Sequence, residues 1–233
     1  MLSVSNIHVN YGKSRVVSNV SFTVANGQKL VLLGRNGVGK TTLLKCLMGL
    51  LPVEGNGRIS IDGRDITKMP AYIHNTMGIG YVPQGREIIP ELTVKDNLEL
   101  GCLGHPAVNF RERLELILEY FPLLKEHLPR KGGVLSGGQQ QQLAIARCLM
   151  GKPSILLLDE PTEGIQPNIV AELAAILNRI SGEMDVSIVM VEQNLKFARR
   201  LANSFMIMQK GQIMATGEIG ELTDALAQQY LAV

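Results

Sequence analysis

The chain has 233 residues, of which 45% are hydrophobic and 19% charged, with a formal net charge of +2. That length suits one or two domains with a substantial core, and the near-balanced charge makes no case for a nucleic-acid or acidic partner. No apolar run approaches the ~20 residues of a membrane span, and Met1-Leu2-Ser3-Val4-Ser5-Asn6 lacks a basic segment followed by an apolar core, so a cytoplasmic location is expected. Cys46, Cys102 and Cys148 are odd in number, widely spaced and mostly in apolar helical context, which reads as reduced core thiols.

In chain order, Leu2 and Val4, then Val20, Phe22 and Val24, alternate with polar residues, and Asn26-Gly27 closes the second run before Lys29–Leu33. This predicts antiparallel strands. Tyr11, beside Gly12 at the expected turn, is either a turn tyrosine packed on the sheet or a platform for a nucleobase, a contact typically worth ~1–3 kcal/mol per base. The apolar run Leu30-Val31-Leu32-Leu33 then leads into Gly34-Arg35-Asn36-Gly37-Val38-Gly39-Lys40-Thr41-Thr42, which fits the phosphate-binding pattern G-x-x-x-x-G-K-[ST]. Gly34, Gly37 and Gly39 let consecutive N–H groups around Asn36 curl about an anion, and the following helix aims its positive end at the same point. Lys40 would reach the β- and γ-phosphates, Thr41 would place its hydroxyl on Mg²⁺, and Thr42 would extend the ring of donors.

Arg58–Ile61 with Asp62-Gly63 predicts a strand and tight turn, and Gly78–Val82 a short buried strand with Gln84 just past its end. In open α/β sheets that is where ligand-contacting side chains fall; without such a sheet Gln84 is a solvated loop residue. From residue 85 to about 150 strand patterns give way to helical spacing of Phe110, Leu114, Ile117, Leu118 and Phe121. Leu135-Ser136-Gly137-Gly138-Gln139 reads as a helix start, Ser136 capping and Gln139 completing the box, while Gly137 and Gly138 bare backbone N–H groups to an anion. Ile155-Leu156-Leu157-Leu158 predicts an interior parallel strand that delivers Asp159 and Glu160 beside the phosphate loop. Asp159 would hold Mg²⁺, and Glu160 would polarise the water that attacks the γ-phosphate. Pro167 opens a helix expected to end near Ile180, before Ser181-Gly182; Ser187–Val191 is a buried strand followed by Glu192-Gln193-Asn194; 205–215 forms a closing hairpin; and a short amphipathic helix is expected from about Gly220.

With the phosphate loop, Leu135–Gln139 and Asp159-Glu160 in this order, the chain resembles the ATP-binding subunit of ABC transporters over nearly its whole length. The resemblance implies a single ABC ATPase domain of α/β class. Its P-loop NTPase core, residues 1–84 and 151–233, would hold a mainly parallel sheet with an N-terminal antiparallel β edge, and residues 85–150 would form an inserted α-helical subdomain. ATP and Mg²⁺ are the implied cofactors. Tyr11 would stack on adenine, Gln84 would sense Mg²⁺ and couple to membrane subunits, and Glu160, with Lys40, would carry the catalysis. Ser136, Gly137 and Gly138, with Gln139 beside them, would meet the γ-phosphate of ATP held by a second ATPase subunit, the same or a different chain, in a head-to-tail dimer. Two integral membrane permeases and, indirectly, a solute-binding protein complete the implied assembly, peripheral on the inner face of the cell membrane.

Val82–Pro90 and Glu163–Pro167 look like the subgroup that takes up branched-chain amino acids and, more closely, urea. Two positions depart from the wider family. Gln193 stands where a switch histidine is usual, and Gln166 where an aspartate is usual; Gln193 can hydrogen-bond a phosphate oxygen but carries no proton charge at neutral pH. ABC-type ATPases acting on DNA or the ribosome form the rival class. Only about 95 residues separate Thr41 from Ser136, too few for the coiled coil of repair members, and the second cassette usual in translation members is absent from this sequence. A small-molecule kinase would have no use for Leu135–Gln139.

Overall fold

The described part of the chain, residues 1–231 of a computed structural model, begins as the alternation predicts. β1 (Leu2–Tyr11) and β2 (Ser14–Val24) pair antiparallel across the turn at Gly12, burying Leu2, Val4, Ile7 and Val9 along one face of β1. β3 (Lys29–Leu33) leaves for a different sheet, and the loop after it opens α1 (Lys40–Leu47). β4 (Arg58–Ile61) and β5 (Arg64–Asp65) return to the first sheet, whose order is β2-β1-β4-β5. The N-terminal antiparallel element is thus a four-stranded sheet.

The chain continues through α2 (Ala71–Thr76), β6 (Ile79–Val82), α3 (Val94–Leu100), α4 (Phe110–Tyr120), the single turn α5 (Pro122–Lys125) and α6 (Gly137–Met150). It ends with β7 (Ile155–Asp159), α7 (Pro167–Glu183), β8 (Ser187–Glu192), α8 (Leu195–Leu201), β9 (Ser204–Gln209), β10 (Gln212–Glu218) and α9 (Asp224–Leu231). The main sheet has the order β10-β9-β3-β8-β7-β6; β9, β3, β8, β7 and β6 run parallel and β10 closes it as an antiparallel hairpin.

The unbroken apolar runs have a direct cause: both faces of this sheet are covered. Alternate residues sort into two cores. Leu30 and Leu32, Ile155 and Leu157, Val189 and Val191 pack with α1 and the antiparallel sheet, while Val31 and Leu33, Leu156 and Leu158, Ile188 and Met190 pack with the later helices. Consequently α1 lies between the two sheets, and the C-terminal ends of β3, β7 and β8 open on the same edge, with Leu33 opposite Glu192 and Asp159 opposite Val191.

α3 begins at a full capping box inside the stretch expected to be helical, with Thr93 accepting from the Asp96 N–H and Asp96 reaching back to the Thr93 N–H. Two later elements differ from the pattern-based expectation. α7 does not stop before Ser181-Gly182 but runs to Glu183. Tertiary contacts override the breaker there: Ser181 is buried with its hydroxyl on Gly27 O at 3.4 Å, and Glu183 is held by Arg179 and by the Tyr120 hydroxyl. The tail helix α9 starts at Asp224, after a 3₁₀ turn at 219–221, and its last expected residues, 232 and 233, lie outside the described residues.

Candidate nucleotide site

The loop at 34–39 places its glycines where backbone geometry needs them. Gly39, the N-cap of α1, has φ 109°, and a Cβ there would stand 2.9 Å from Val16 O, so β2 and the loop approach too closely for any side chain. Asn36, Gly37, Gly39, Lys40, Thr41 and Thr42 line a cavity of about 360 Å³ together with Val16, Gln84 and Glu160. Lys40 is only 4% exposed. Its ammonium donates to Gly34 O at 2.8 Å and Arg35 O at 3.1 Å, and lies 3.3 Å from Glu160 Oε1.

β7 delivers the two acids as the apolar run predicts, but to different environments. Asp159 is buried, accepting from the Thr41 hydroxyl at 2.9 Å and from the Tyr81 hydroxyl at 3.3 Å. Burial pushes its carboxyl above the ordinary range, against the lowering effect of those two hydrogen bonds. Glu160 turns away from the strand with φ 47° and faces the cavity. The Gln193 amide nitrogen donates to Glu160 Oε1 at 2.9 Å and to Asn36 Oδ1 at 2.6 Å, so this glutamine links the end of β8, the end of β7 and the phosphate loop. Among the described residues no group of three or more His, Cys, Asp or Glu is gathered to hold a metal. The donor set available to a hard cation beside a polyphosphate is therefore the Thr41 hydroxyl and the Asp159 carboxylate, which already meet, with Gln84 on the same cavity.

Not every expected residue joins this cavity. Ser136 caps α6 in a complete box with Gln139, but Ser136, Gly137, Gly138 and Gln139 do not line it. Gly138 has a packing reason besides access to its N–H: a Cβ there would stand 2.7 Å from Ile169 Cγ2 of α7. The lining reaches β2 at Val16; Tyr11 is 50% exposed at the hairpin turn. Gln84 donates to Glu163 Oε2 at 2.9 Å, and Gln166 is the N-cap of α7 without a side-chain cap bond.

Sequence reasoning missed Tyr81 and two further groups. The Arg86 guanidinium packs on Gly137 and donates to Gln140 Oε1 at 3.4 Å and Glu163 O at 3.3 Å, tying the loop after β6 to α6 and to the loop after β7. Glu192 is a 2% exposed carboxylate at the end of β8. Only its place at a buried strand end, next to Gln193, could have drawn attention to it.

A mainly parallel sheet with a glycine-rich loop after β3, a buried lysine at the start of α1, paired carboxylates at the end of β7, one strand beyond its neighbour β8, and the Leu135–Gln139 signature opening α6 define an ATP-binding cassette ATPase. Residues 17–163 match the family model described as ABC transporter, and the chain belongs to that family. A relative from Pseudomonas aeruginosa, the high-affinity branched-chain amino acid transport ATP-binding protein BraG, is 37% identical over 214 residues, covering 92% of this chain and 91% of the relative. The probable branched-chain amino acid transport ATP-binding protein LivF of Archaeoglobus fulgidus is 30% identical over 224 residues, covering 96% and 94%. Among solved structures, a nucleotide-free ATP-binding cassette from an ABC transporter superposes with a TM-score of 0.85 at 25% identity, covering 100% of this chain and 95% of that one. The dimeric structure of a post-hydrolysis state of a cassette bound to ADP and Pi gives 0.83 at 25% identity, covering 94% and 99%.

Proposed function

We propose that this chain is the ATP-hydrolysing subunit of an importer for branched-chain amino acids, working as one half of a head-to-tail pair beneath two membrane permeases. The observation that carries the hydrolytic part is the meeting of Lys40 and Glu160 at one cavity, with the Gln193 amide on Glu160 and the Thr41–Asp159 pair beside them. Lys40 exchanges its bonds to Gly34 O, Arg35 O and Glu160 for the phosphates, which frees Glu160. Glu160 then takes a proton from the attacking water as the new oxygen–phosphorus bond forms and the bond to the β-phosphate oxygen breaks. Thr41 and Asp159, with Gln84 nearby, would hold Mg²⁺, which would supply charge neutralisation on the phosphates. Tyr11 offers its exposed ring to the adenine.

The site on this chain is half of a composite one. Ser136–Gln139 lie off the cavity of their own chain; Ser136 and Gln139 cap each other, which leaves the Gly137 and Gly138 N–H groups at the start of α6 to serve the ATP of a second subunit. Residues 85–150 are then the lobe that carries this signature, and 1–84 with 151 onward the core that carries the phosphate loop. Among the described residues no helix is long and apolar enough to cross a membrane, so in this reading the chain attaches to the membrane through its permease partners.

The relatives support this choice of solute, three of them being named for branched-chain amino acids. Urea is the second reading, carried by the sequence of the loops Val82–Pro90 and Glu163–Pro167. Co-purification with the native permeases, reconstitution into vesicles and ATP-driven uptake of leucine against urea test both parts. Leucine uptake is expected; uptake of urea alone would transfer the assignment, and uptake without ATP turnover would overturn the motor reading.

A further inference from the structure

Glu192 makes four hydrogen bonds that no motif accounts for. Oε1 accepts from the Thr162 N–H at 3.1 Å and the Thr162 hydroxyl at 2.7 Å; Oε2 accepts from the N–H groups of Gln193 at 2.9 Å and Asn194 at 3.0 Å. One buried carboxylate thereby joins the loop that follows Glu160 to the loop that carries Gln193. Both loops bear on Glu160. Its own N–H is held by Val191 O at 3.0 Å, one residue before Glu192, and its carboxylate receives the Gln193 amide. Helix capping does not explain the arrangement, because Asn194 caps α8 with its own side chain.

We propose that Glu192 is a positioning residue for ATP hydrolysis: it locks the Thr162 loop to the Gln193 loop, so that the Gln193 amide and Glu160 keep one geometry. The inference rests on the hydrolytic roles given above to Glu160 and Gln193. Its donors explain why an acid is needed. A carboxylate accepts at both oxygens, whereas an amide presents an NH₂ on one side. In Glu192→Gln that NH₂ falls on the Thr162 side, where the hydroxyl can turn and accept, leaving Oε1 to Gln193 and Asn194. The Thr162 N–H then faces an NH₂ instead of an acceptor, and the link between the two loops is weakened from two bonds on the Thr162 side to one.

The test is steady-state ATP hydrolysis by the full chain, with MgATP affinity and the thermal midpoint measured in parallel. Glu192→Gln is expected to lower kcat about tenfold with KM within about twofold, the signature of lost positioning rather than lost binding. Thr162→Val removes one donor at unchanged volume and is expected to lower kcat in the same direction by about threefold, which keeps the test open where Glu192→Gln folds poorly. In a Gln193→Ala background the Glu192→Gln loss is expected to shrink to about twofold or less, because residues acting through one another are not additive. An unchanged kcat in both variants, a proportional rise in KM, or an equal loss in the Gln193→Ala background would each overturn the proposal. Glu160→Gln measured alongside separates the two levels: full turnover there sinks the hydrolytic assignment itself, whereas its loss with an unaffected Thr162→Val and Glu192→Gln sinks only the role of Glu192.

Discussion

Lys40 is the residue on which the largest binding effect is expected. Its ammonium is buried and held by two loop carbonyls and Glu160, and removing it takes a charge-assisted donor from the phosphates. Such bonds contribute about 1.5–3 kcal/mol, so Lys40→Ala should weaken MgATP binding by about 10- to 100-fold in a fluorescent-nucleotide titration. The cysteines make a prediction of opposite character. Burial pushes the thiols of Cys46 and Cys148 up to about 12 and raises Cys102 as well. A raised thiol pKa leaves little thiolate at neutral pH, so iodoacetamide at pH 8 should alkylate the folded chain slowly, faster as pH rises, and should modify all three after unfolding. Rapid labelling of Cys148 in the folded chain would contradict the packing of its sulfur against Gly80. The sequence exposed Lys40, Thr41 and Asp159 because each belongs to a short pattern with its own mechanism. Tyr81 and Glu192 left no such trace, since their partners Asp159 and Thr162 lie 78 and 30 residues away and only the parallel register brings them together.

Among the elements, α6 carries the strongest local signal and the clearest test. Ser136 and Gln139 form the expected box, so Ser136→Ala should cost about 0.5–2 kcal/mol in denaturant unfolding. Gly138→Ala should cost a further ~1–3 kcal/mol, because the added methyl meets Ile169 on α7. That second effect is absent from the sequence: glycine at a helix start reads as access for an anion, and the neighbour that forbids a side chain arrives from 31 residues downstream. A Gly138→Ala chain as stable as the unmodified one would leave anion access as the only use of that glycine. α7 teaches the same lesson from the other side. Its Ser181-Gly182 pair is a fair local stop signal, overridden by Ser181 on Gly27 and by the Tyr120–Glu183–Arg179 cluster.

At the scale of the molecule, a mainly parallel sheet and an antiparallel N-terminal element were legible because apolar continuity and apolar alternation distinguish a sheet covered on both sides from one covered on one side, whereas the separation of that element into its own sheet, with α1 between the two, was not. What a single chain cannot display is its complement. The cavity at Lys40 is lined from the phosphate loop, β2, Gln84 and Glu160, and the signature at the start of α6 is not part of that lining; in the proposed composite site a second subunit supplies it. Glu160→Gln converts that geometry into a measurement. The amide keeps the shape of the glutamate and loses the base, so MgATP should bind while turnover falls by about 10²–10⁴-fold, the usual worth of a general base. Because the ATP that closes the pair is then not consumed, Glu160→Gln should elute as a dimer with MgATP and as a monomer with MgADP, and adding Ser136→Arg should restore the monomer in both. A Glu160→Gln chain that stays monomeric at saturating MgATP, or a dimer indifferent to Ser136→Arg, would remove the signature contact from the composite site.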